Sequence, residues 1–321
     1  MRPFDTTLGK TGLAVTRIGL GLAALGRPGY INLGHGSDLA GETDVDSMER
    51  HAHAVLDAAY AGGIRYFDAA RSYGRAEAFL ASWLEQRGFG PDDLTVGSKW
   101  GYTYTADWHV DAKVHEVKDL SEATLERQLG ESQELLGNHL RLYQIHSATL
   151  DSGVLDDPAV MEELAQLRAN GMAIGFTATG PHQAQTIERA LEVGGFDAVQ
   201  ATWNLLERSA GPALAAAHTE GLGVIIKEAL ANGRLTTRGD VPELAVAART
   251  TGRTEDAIAL ACVLAQPWVD VVLSGASTVP QLESNLTARV LELGRDVLEP
   301  LDAIGEDAET YWEKRSELAW N

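Results

Sequence analysis

The sequence is poor in cysteine: of its 321 residues only Cys262 is one. That excludes an intrachain disulfide and a cluster of thiolate metal ligands. Cations are scarce as well. Lys and Arg number 26 against 46 Asp and Glu, a formal net charge of -20, which repels phosphate backbones and anionic lipid surfaces. Neither nucleic acid nor a membrane is expected as a partner, and solubility is the ordinary use of such acidity. The same field obliges any phosphorylated cofactor to find a local cradle of helix N-termini or a few cations. No run of uncharged apolar residues is long enough to span a bilayer, and Met1-Arg2-Pro3-Phe4-Asp5 lacks the charged-then-apolar pattern of a secretory signal. A cytoplasmic location is expected. A dinucleotide-binding glycine turn is missing too, since Gly19-Leu20-Gly21 has too few glycines for that fingerprint.

What is present is a repeating pattern. Short apolar or β-branched runs alternate with longer stretches of helical period, as in repeated βα units. Eight runs read as strands: Arg17–Gly21, Arg65–Phe67, Leu94–Ser98, Leu142–His146, Ala173–Thr177, Ala198–Thr202, Gly223–Lys227 and Val269–Leu273. They are continuously apolar rather than alternating, which fits a parallel sheet covered on both faces. Helices are predicted between them: Asp46–Ala61 stopping at Gly62-Gly63, one opening at Ser121, then Met161–Ala169 and Gln183–Val193.

The expected architecture is α/β, a closed (β/α)8 TIM barrel forming one domain over 1–321. An open doubly wound sheet shares much of the pattern but places its site differently. Leu8–Leu13 reads as an N-terminal hairpin closing the barrel bottom. Two segments, Leu22–Thr43 and Trp100–Leu120, are too long for ordinary connections and lie where barrels build pockets. The acidic tail Arg295–Asn321, with Tyr311, Trp312 and Trp320, is expected to pack on the body.

Four polar residues fall at or just past strand ends: Asp68, Tyr73, Lys99 and His146. In a barrel these ends converge on one face. A free tyrosine titrates at about 10, and a nearby ammonium lowers that value. Lys99 is expected to supply the charge, Asp68 to hold the lysine, and His146 to hydrogen-bond a substrate oxygen. Taken singly, each has an ordinary reading, as a helix cap, barrel filler or satisfied polar residue. Together they make a reduction site.

The segments Tyr66-Phe67-Asp68-Ala69-Ala70-Arg71-Ser72-Tyr73-Gly74, Gly97-Ser98-Lys99-Trp100 and Leu142-Tyr143-Gln144-Ile145-His146 resemble the catalytic stretches of the aldo-keto reductase superfamily, in order. The resemblance runs from Leu8-Gly9 to Gly275-Ala276-Ser277. It implies a TIM barrel, NADP or NAD as cofactor, Tyr73 as general acid/base, and Asp68, Lys99 and His146 as its support. It also implies cofactor contacts from Gly21, Thr177, Gln200, Lys227, Leu230, Gly275, Ala276, Ser277, Gln281 and Asn285.

Three positions depart from the family pattern. Thr177-Ala178 replaces a Ser-Asn pair, Lys227 replaces a stacking aromatic, and no Lys or Arg lies between Ser274 and Ala288, where NADPH-preferring relatives often carry one. Both dinucleotides stay open. Trp203 is an alternative cover for the nicotinamide ring. Ser274–Thr278 and the helix after it are expected to bind phosphate through free N–H groups, unless they form only a Ser/Thr cap.

Trp100, Tyr102, Trp108 and Trp203 are expected to wall a pocket for a small carbonyl or sugar substrate. No metal is predicted, since His109 and His115 lack ligand spacing. The expected reaction is reduction of an aldehyde or ketone; the alternatives are an aldose dehydrogenase running in reverse, a cofactor-binding regulatory subunit, and a Schiff-base lyase at Lys99. Nothing in the residues specifies an oligomer.

Overall fold

Strands that are apolar on both faces need cover on both, and here they obtain it by closing on themselves. In the computed structural model, which describes residues 6–321, eight parallel strands form a closed barrel in sequence order. They are β1 (Ile18–Gly21), β2 (Tyr66–Asp68), β3 (Thr95–Trp100), β4 (Leu140–Ala148), β5 (Ala173–Ala178), β6 (Ala198–Thr202), β7 (Gly223–Lys227) and β8 (Val271–Ser274). Closure is completed by β8 pairing with β1, Leu273 opposite Gly19. The open doubly wound alternative is thereby excluded. The reading of Met1–Asp5 lies outside the described residues.

A helix follows each strand, and local chemistry sets where it begins. Asp44 accepts the Ser47 N–H (2.9 Å) to open Val45–Ala61. Ser121 caps Glu122–Leu136, and Asp157 with Pro158 at the first turn starts Pro158–Ala169. The outward residues Phe67, Tyr143, Ile145 and Phe176 pack with Leu56, Trp83 and Leu164 of these helices in the main core. Each such aliphatic or aromatic side chain contributes about 1.5–3 kcal/mol by leaving water.

The bottom is closed by the hairpin. Thr6–Thr7 pairs antiparallel with Ala14–Val15, and Leu8, Leu13 and Val15 join the inward-facing Tyr66, Leu142, Ile225 and Val271. The inward residues at the opposite end are therefore free to face a pocket.

Both long loops are structured. Leu22–Thr43 contains a single helical turn, His35–Asp38. Trp100–Leu120 forms a hairpin, Tyr102–Tyr104 against Glu116–Lys118. The tail makes two helices, Arg295–Asp302 and Ala308–Ser316, whose Val297, Leu301, Tyr311 and Trp312 pack with Leu205, Leu206 and Leu235. Its last residues return to the barrel mouth, where the backbones of Asn321 and Tyr30 exchange two hydrogen bonds, each 3.2 Å. Among the described residues no helix is long and apolar enough to cross a membrane.

Candidate active site

Strand alternation decides which side chains meet inside the barrel. In β2, Tyr66 and Asp68 point inward and Phe67 outward; in β3, Lys99 points inward while Ser98 reaches out to Glu77. Gln144 and His146 of β4 and Gln200 and Thr202 of β6 complete the inner set.

Lys99 and Asp68, each only 1% exposed, form a buried ion pair. The ammonium also donates to the Ala69 carbonyl at 2.9 Å. The second carboxylate oxygen of Asp68 accepts from the Tyr66 hydroxyl (3.1 Å), Gln200 Nε2 (3.0 Å) and Gln144 Nε2 (3.4 Å). A charge pair taken out of water survives only when its remaining hydrogen-bonding capacity is met in this way.

Tyr73 sits on the turn after β2. Its ring lies 5.0 Å from the Lys99 ammonium and meets the His146 ring edge-on at 5.5 Å. Two glycines make the turn possible. A Cβ on Gly26 would fall 2.2 Å from the Tyr73 carbonyl oxygen, and Gly74, at φ +60°, touches Gly26 closely enough that a Cβ there would lie 2.4 Å from its oxygen. This approach brings Arg27 over Tyr73, its guanidinium 5.2 Å from the ring centroid. Arg27 is held by the Ser72 carbonyl (3.2 Å) and Glu116 (3.0 Å).

The electrostatics correct one expectation. Burial, reinforced by the Asp68 carboxylate, pushes the Tyr73 phenol above its ordinary range, with Arg27 opposing. The expected lowering by Lys99 does not prevail, because that charge is matched by Asp68. At neutral pH the phenol keeps its proton. Burial, followed by the charges of Lys99, Lys227, Arg27 and Lys118, drives His146 well below its usual value, so the imidazole is neutral. The Ser72 hydroxyl lies 3.4 Å from its Nδ1.

One cavity of about 620 Å³ takes in Asp68, Tyr73 and His146 together with Gly21, Gln200, Lys227, Leu230, Gly275, Ala276, Ser277, Gln281 and Asn285. The sequence-predicted groups are thus brought together with three qualifications. Lys99 is not on the wall and lies behind Asp68. Thr177 is fully buried, and its hydroxyl accepts the Ser147 N–H at 2.6 Å, so it shapes the β4 turn rather than facing the cavity. Lys227 does not pair with Glu228. It donates to Thr202 Oγ1 at 3.3 Å, while Arg315 from the tail holds Glu228. Burial lowers the Lys227 ammonium to about 8. Burial opposes ionisation of Glu228 too, but Arg315 and Lys227 hold its carboxyl down at about 2.

The expected aromatic wall is corrected. Trp100 and Trp203 follow inward residues on β3 and β6 and so turn outward: Trp100 is fully buried in the helix layer, and Trp203 packs edge-on against Trp268 at 5.4 Å. Trp108 is tied down by its indole N–H to the Thr43 carbonyl (2.6 Å). Tyr102 sits beside the site, edge-on to His146 at 4.9 Å, but does not line the cavity. The lining comes instead from Arg27, Tyr30, Glu116, Arg315 and Trp320. Arg315 and Trp320 lie in the C-terminal tail, which the sequence reading allowed as a contributor to the wall, whereas Arg27, Tyr30 and Glu116 were not singled out in that role.

The Ser274–Thr278 segment also differs from expectation. Three of its N–H groups are used within the protein: Ala276 donates to Ser274 Oγ (3.3 Å), and Ser277 and Thr278 donate to Gln281 Oε1 (2.9 and 3.2 Å). Asn285 and Ser274 are hydrogen-bonded to each other at 2.8 Å. Two side-chain donors of this region, the Ser277 hydroxyl and the Gln281 amide, go to Asp38 (2.9 Å each).

Among the described residues no group of three or more His, Cys, Asp or Glu is arranged to hold a metal ion. A dinucleotide fits what is there. The cavity has the volume of a small-molecule site, and buried polar atoms of two lining residues, Arg27 Nε and Asn232 Oδ1, have no partner within the protein, as on a wall that completes its bonds to a bound group.

Comparison with known proteins agrees with this arrangement. The profile of the Aldo/keto reductase family matches residues 17–306. The chain is 27% identical to the "Uncharacterized oxidoreductase YrpG" of Bacillus subtilis, covering 95% of this chain and 98% of that one. It is 27% identical to the pyridoxal 4-dehydrogenase of Microbacterium luteolum, covering 71% of each. Its fold matches that of the aldo-keto reductase AKR11C1 from Bacillus halodurans with a TM-score of 0.72 at 22% identity, over 94% of this chain and 96% of that one. With the barrel, the convergence of Asp68, Tyr73, Lys99 and His146, and a profile match over most of its length, the chain belongs to the aldo/keto reductase family of oxidoreductases.

Proposed function

We propose that this protein uses NADP or NAD to reduce an aldehyde or ketone, with Tyr73 as the proton donor. The observation that carries the reading is Tyr73 itself: a protonated phenol on the cavity wall with Lys99 at 5.0 Å and Arg27 at 5.2 Å from its ring. When bound, the nicotinamide supplies the hydride. Gly21, Gln200, Lys227, Leu230, Gly275, Ala276, Ser277, Gln281 and Asn285 are the residues that would hold the dinucleotide, since they share the cavity with Tyr73.

The protein's own part is proton transfer and charge stabilisation. As a carbonyl oxygen gains charge, Tyr73 passes its proton to it, and neutral His146 offers a ring N–H to the same oxygen. The phenolate left on Tyr73 is stabilised by Lys99 and Arg27. Asp68 keeps Lys99 in place without competing for the substrate. Lys99 as a Schiff-base nucleophile is disfavoured, because its ammonium is fully buried and already held by Asp68 and the Ala69 carbonyl.

The reverse reaction, oxidation of a sugar hemiacetal to a lactone, is the second reading, supported by the name of a Pseudomonas relative, "D-threo-aldose 1-dehydrogenase", 26% identical over 65% of this chain and 68% of that one. It requires Tyr73 to act as a base, which its raised affinity for the proton opposes. Tyr73→Phe tests the assignment. Turnover on simple aldehydes should fall by about 10²–10⁴-fold, while dinucleotide affinity stays within about threefold. Near-normal turnover would overturn the role of Tyr73, and binding without any turnover in the wild type would favour a regulatory subunit.

A further inference from the structure

The Ser277–Gln281 region, expected to receive the adenosine phosphate, already contains an anion of the protein's own. Asp38, at the end of the single turn in Leu22–Thr43, places Oδ2 at 2.9 Å from Ser277 Oγ, 2.9 Å from Gln281 Nε2 and 2.8 Å from an Arg238 nitrogen, and Arg238 also reaches its other oxygen. Asp38, Arg238, Ser277 and Gln281 all line the cavity that contains Tyr73. The carboxylate side chain is 9% exposed. The pairing joins residues 200 positions apart in the chain, so no local turn produces it.

The consequence is electrostatic. Arg238 is a cation within reach of this segment, and its charge is neutralised bidentately by Asp38. Two side-chain donors beside it, Ser277 Oγ and Gln281 Nε2, are taken by the same carboxylate, and the Ser277 and Thr278 N–H groups are turned onto Gln281. A phosphate entering here meets a fixed negative charge at hydrogen-bonding distance from its own donors. A ribose hydroxyl meets an acceptor. An acidic side chain that accepts from a ribose 2′-hydroxyl, against an arginine that receives a 2′-phosphate, is the general physical basis for telling the two dinucleotides apart.

We propose that Asp38 makes this enzyme selective for NAD(H) over NADP(H), by accepting a hydrogen bond from the adenosine ribose and by cancelling the charge of Arg238. The inference rests on the dinucleotide reading above and deepens it. Asp38 is a specificity-determining residue and takes no part in the chemistry at Tyr73.

The test is a fluorescence titration of the full-length protein with NADH and, separately, NADPH, in the wild type, Asp38→Asn and Asp38→Asn/Arg238→Ala. The wild type should bind NADH at least about tenfold more tightly. Asp38→Asn should tighten NADPH by about tenfold or more and loosen NADH a few-fold, and adding Arg238→Ala should remove the NADPH gain. Asp38→Ser is the second variant should the amide fail to fold. A wild type that binds NADPH as tightly as NADH, or a ratio unchanged in folded Asp38 variants, overturns the selectivity while leaving the dinucleotide reading intact. Binding of neither by the folded wild type overturns both.

Discussion

The Arg27 guanidinium lies over the Tyr73 ring, 5.2 Å from its centroid, on the cavity wall. It is 3% exposed, and its Nε has no partner. A second cation beside a phenol that must become a phenolate lowers the cost of that charge. Arg27→Met should therefore reduce kcat by roughly 10–100-fold at saturating dinucleotide. Steady-state kinetics beside a binding titration would check this, and an unchanged kcat would remove Arg27 from the proton-transfer machinery.

Asp68 and Lys99 should respond asymmetrically to mutation. Asp68→Asn strands a buried ammonium and is expected to cost about 3–5 kcal/mol of stability. Lys99→Met leaves Asp68 with its bonds from Tyr66, Gln200 and Gln144 and should cost less. Its activity should still fall by about 10²-fold or more. Urea denaturation of both variants, with turnover measured at saturating cofactor, separates the two effects.

Arg315 ties the C-terminal tail to the barrel through Glu228. Arg315→Met should destabilise by roughly 2–3 kcal/mol, below the full buried-pair value because Arg315 remains partly exposed. The pH dependence has a fixed sign. The Glu228 carboxyl is held at about 2 against an ordinary 4.5, so its stabilisation is complete above the ordinary value and is lost as pH falls through about 2. In Arg315→Met, acid unfolding should begin at a higher pH, followed by circular dichroism.

Lys227 titrates at about 8 inside the cavity, whereas Tyr73 is pushed up and His146 down. The rate of carbonyl reduction should be flat at mildly acidic pH. It should then fall as pH rises through about 8, because the cavity loses a positive charge among the residues proposed to hold the dinucleotide. Stability should move the opposite way over the same range, since the folded protein no longer carries a buried charge that the unfolded chain still solvates. Lys227→Met should abolish the inflection in a kcat/KM profile.

The strands, the hairpin plug and the four helices at Val45–Ala61, Glu122–Leu136, Pro158–Ala169 and Gln183–Val193 were legible because their signals are local: apolar runs, capping residues and glycine stops. Boundaries shifted only slightly. The last strand begins at Val271 rather than Val269, whose N–H is used in a turn to Gln266 (3.2 Å). Alternation along a strand was also readable in principle. Lys99 facing inward requires Trp100 to face outward, and the same parity removes Trp203 from the pocket.

By itself, then, the sequence determined the βα repeat, the closed-barrel expectation and the four polar residues at strand ends, since each depends on neighbours within a few positions. Tertiary structure alone decided what surrounds them: Arg27 over Tyr73 through the contact of Gly26 with Gly74, Arg315 on Glu228, and Asp38 on Ser277, Gln281 and Arg238. These partners are 46 to about 240 residues apart in the chain. Only barrel closure and the return of the tail to the barrel mouth bring them into contact.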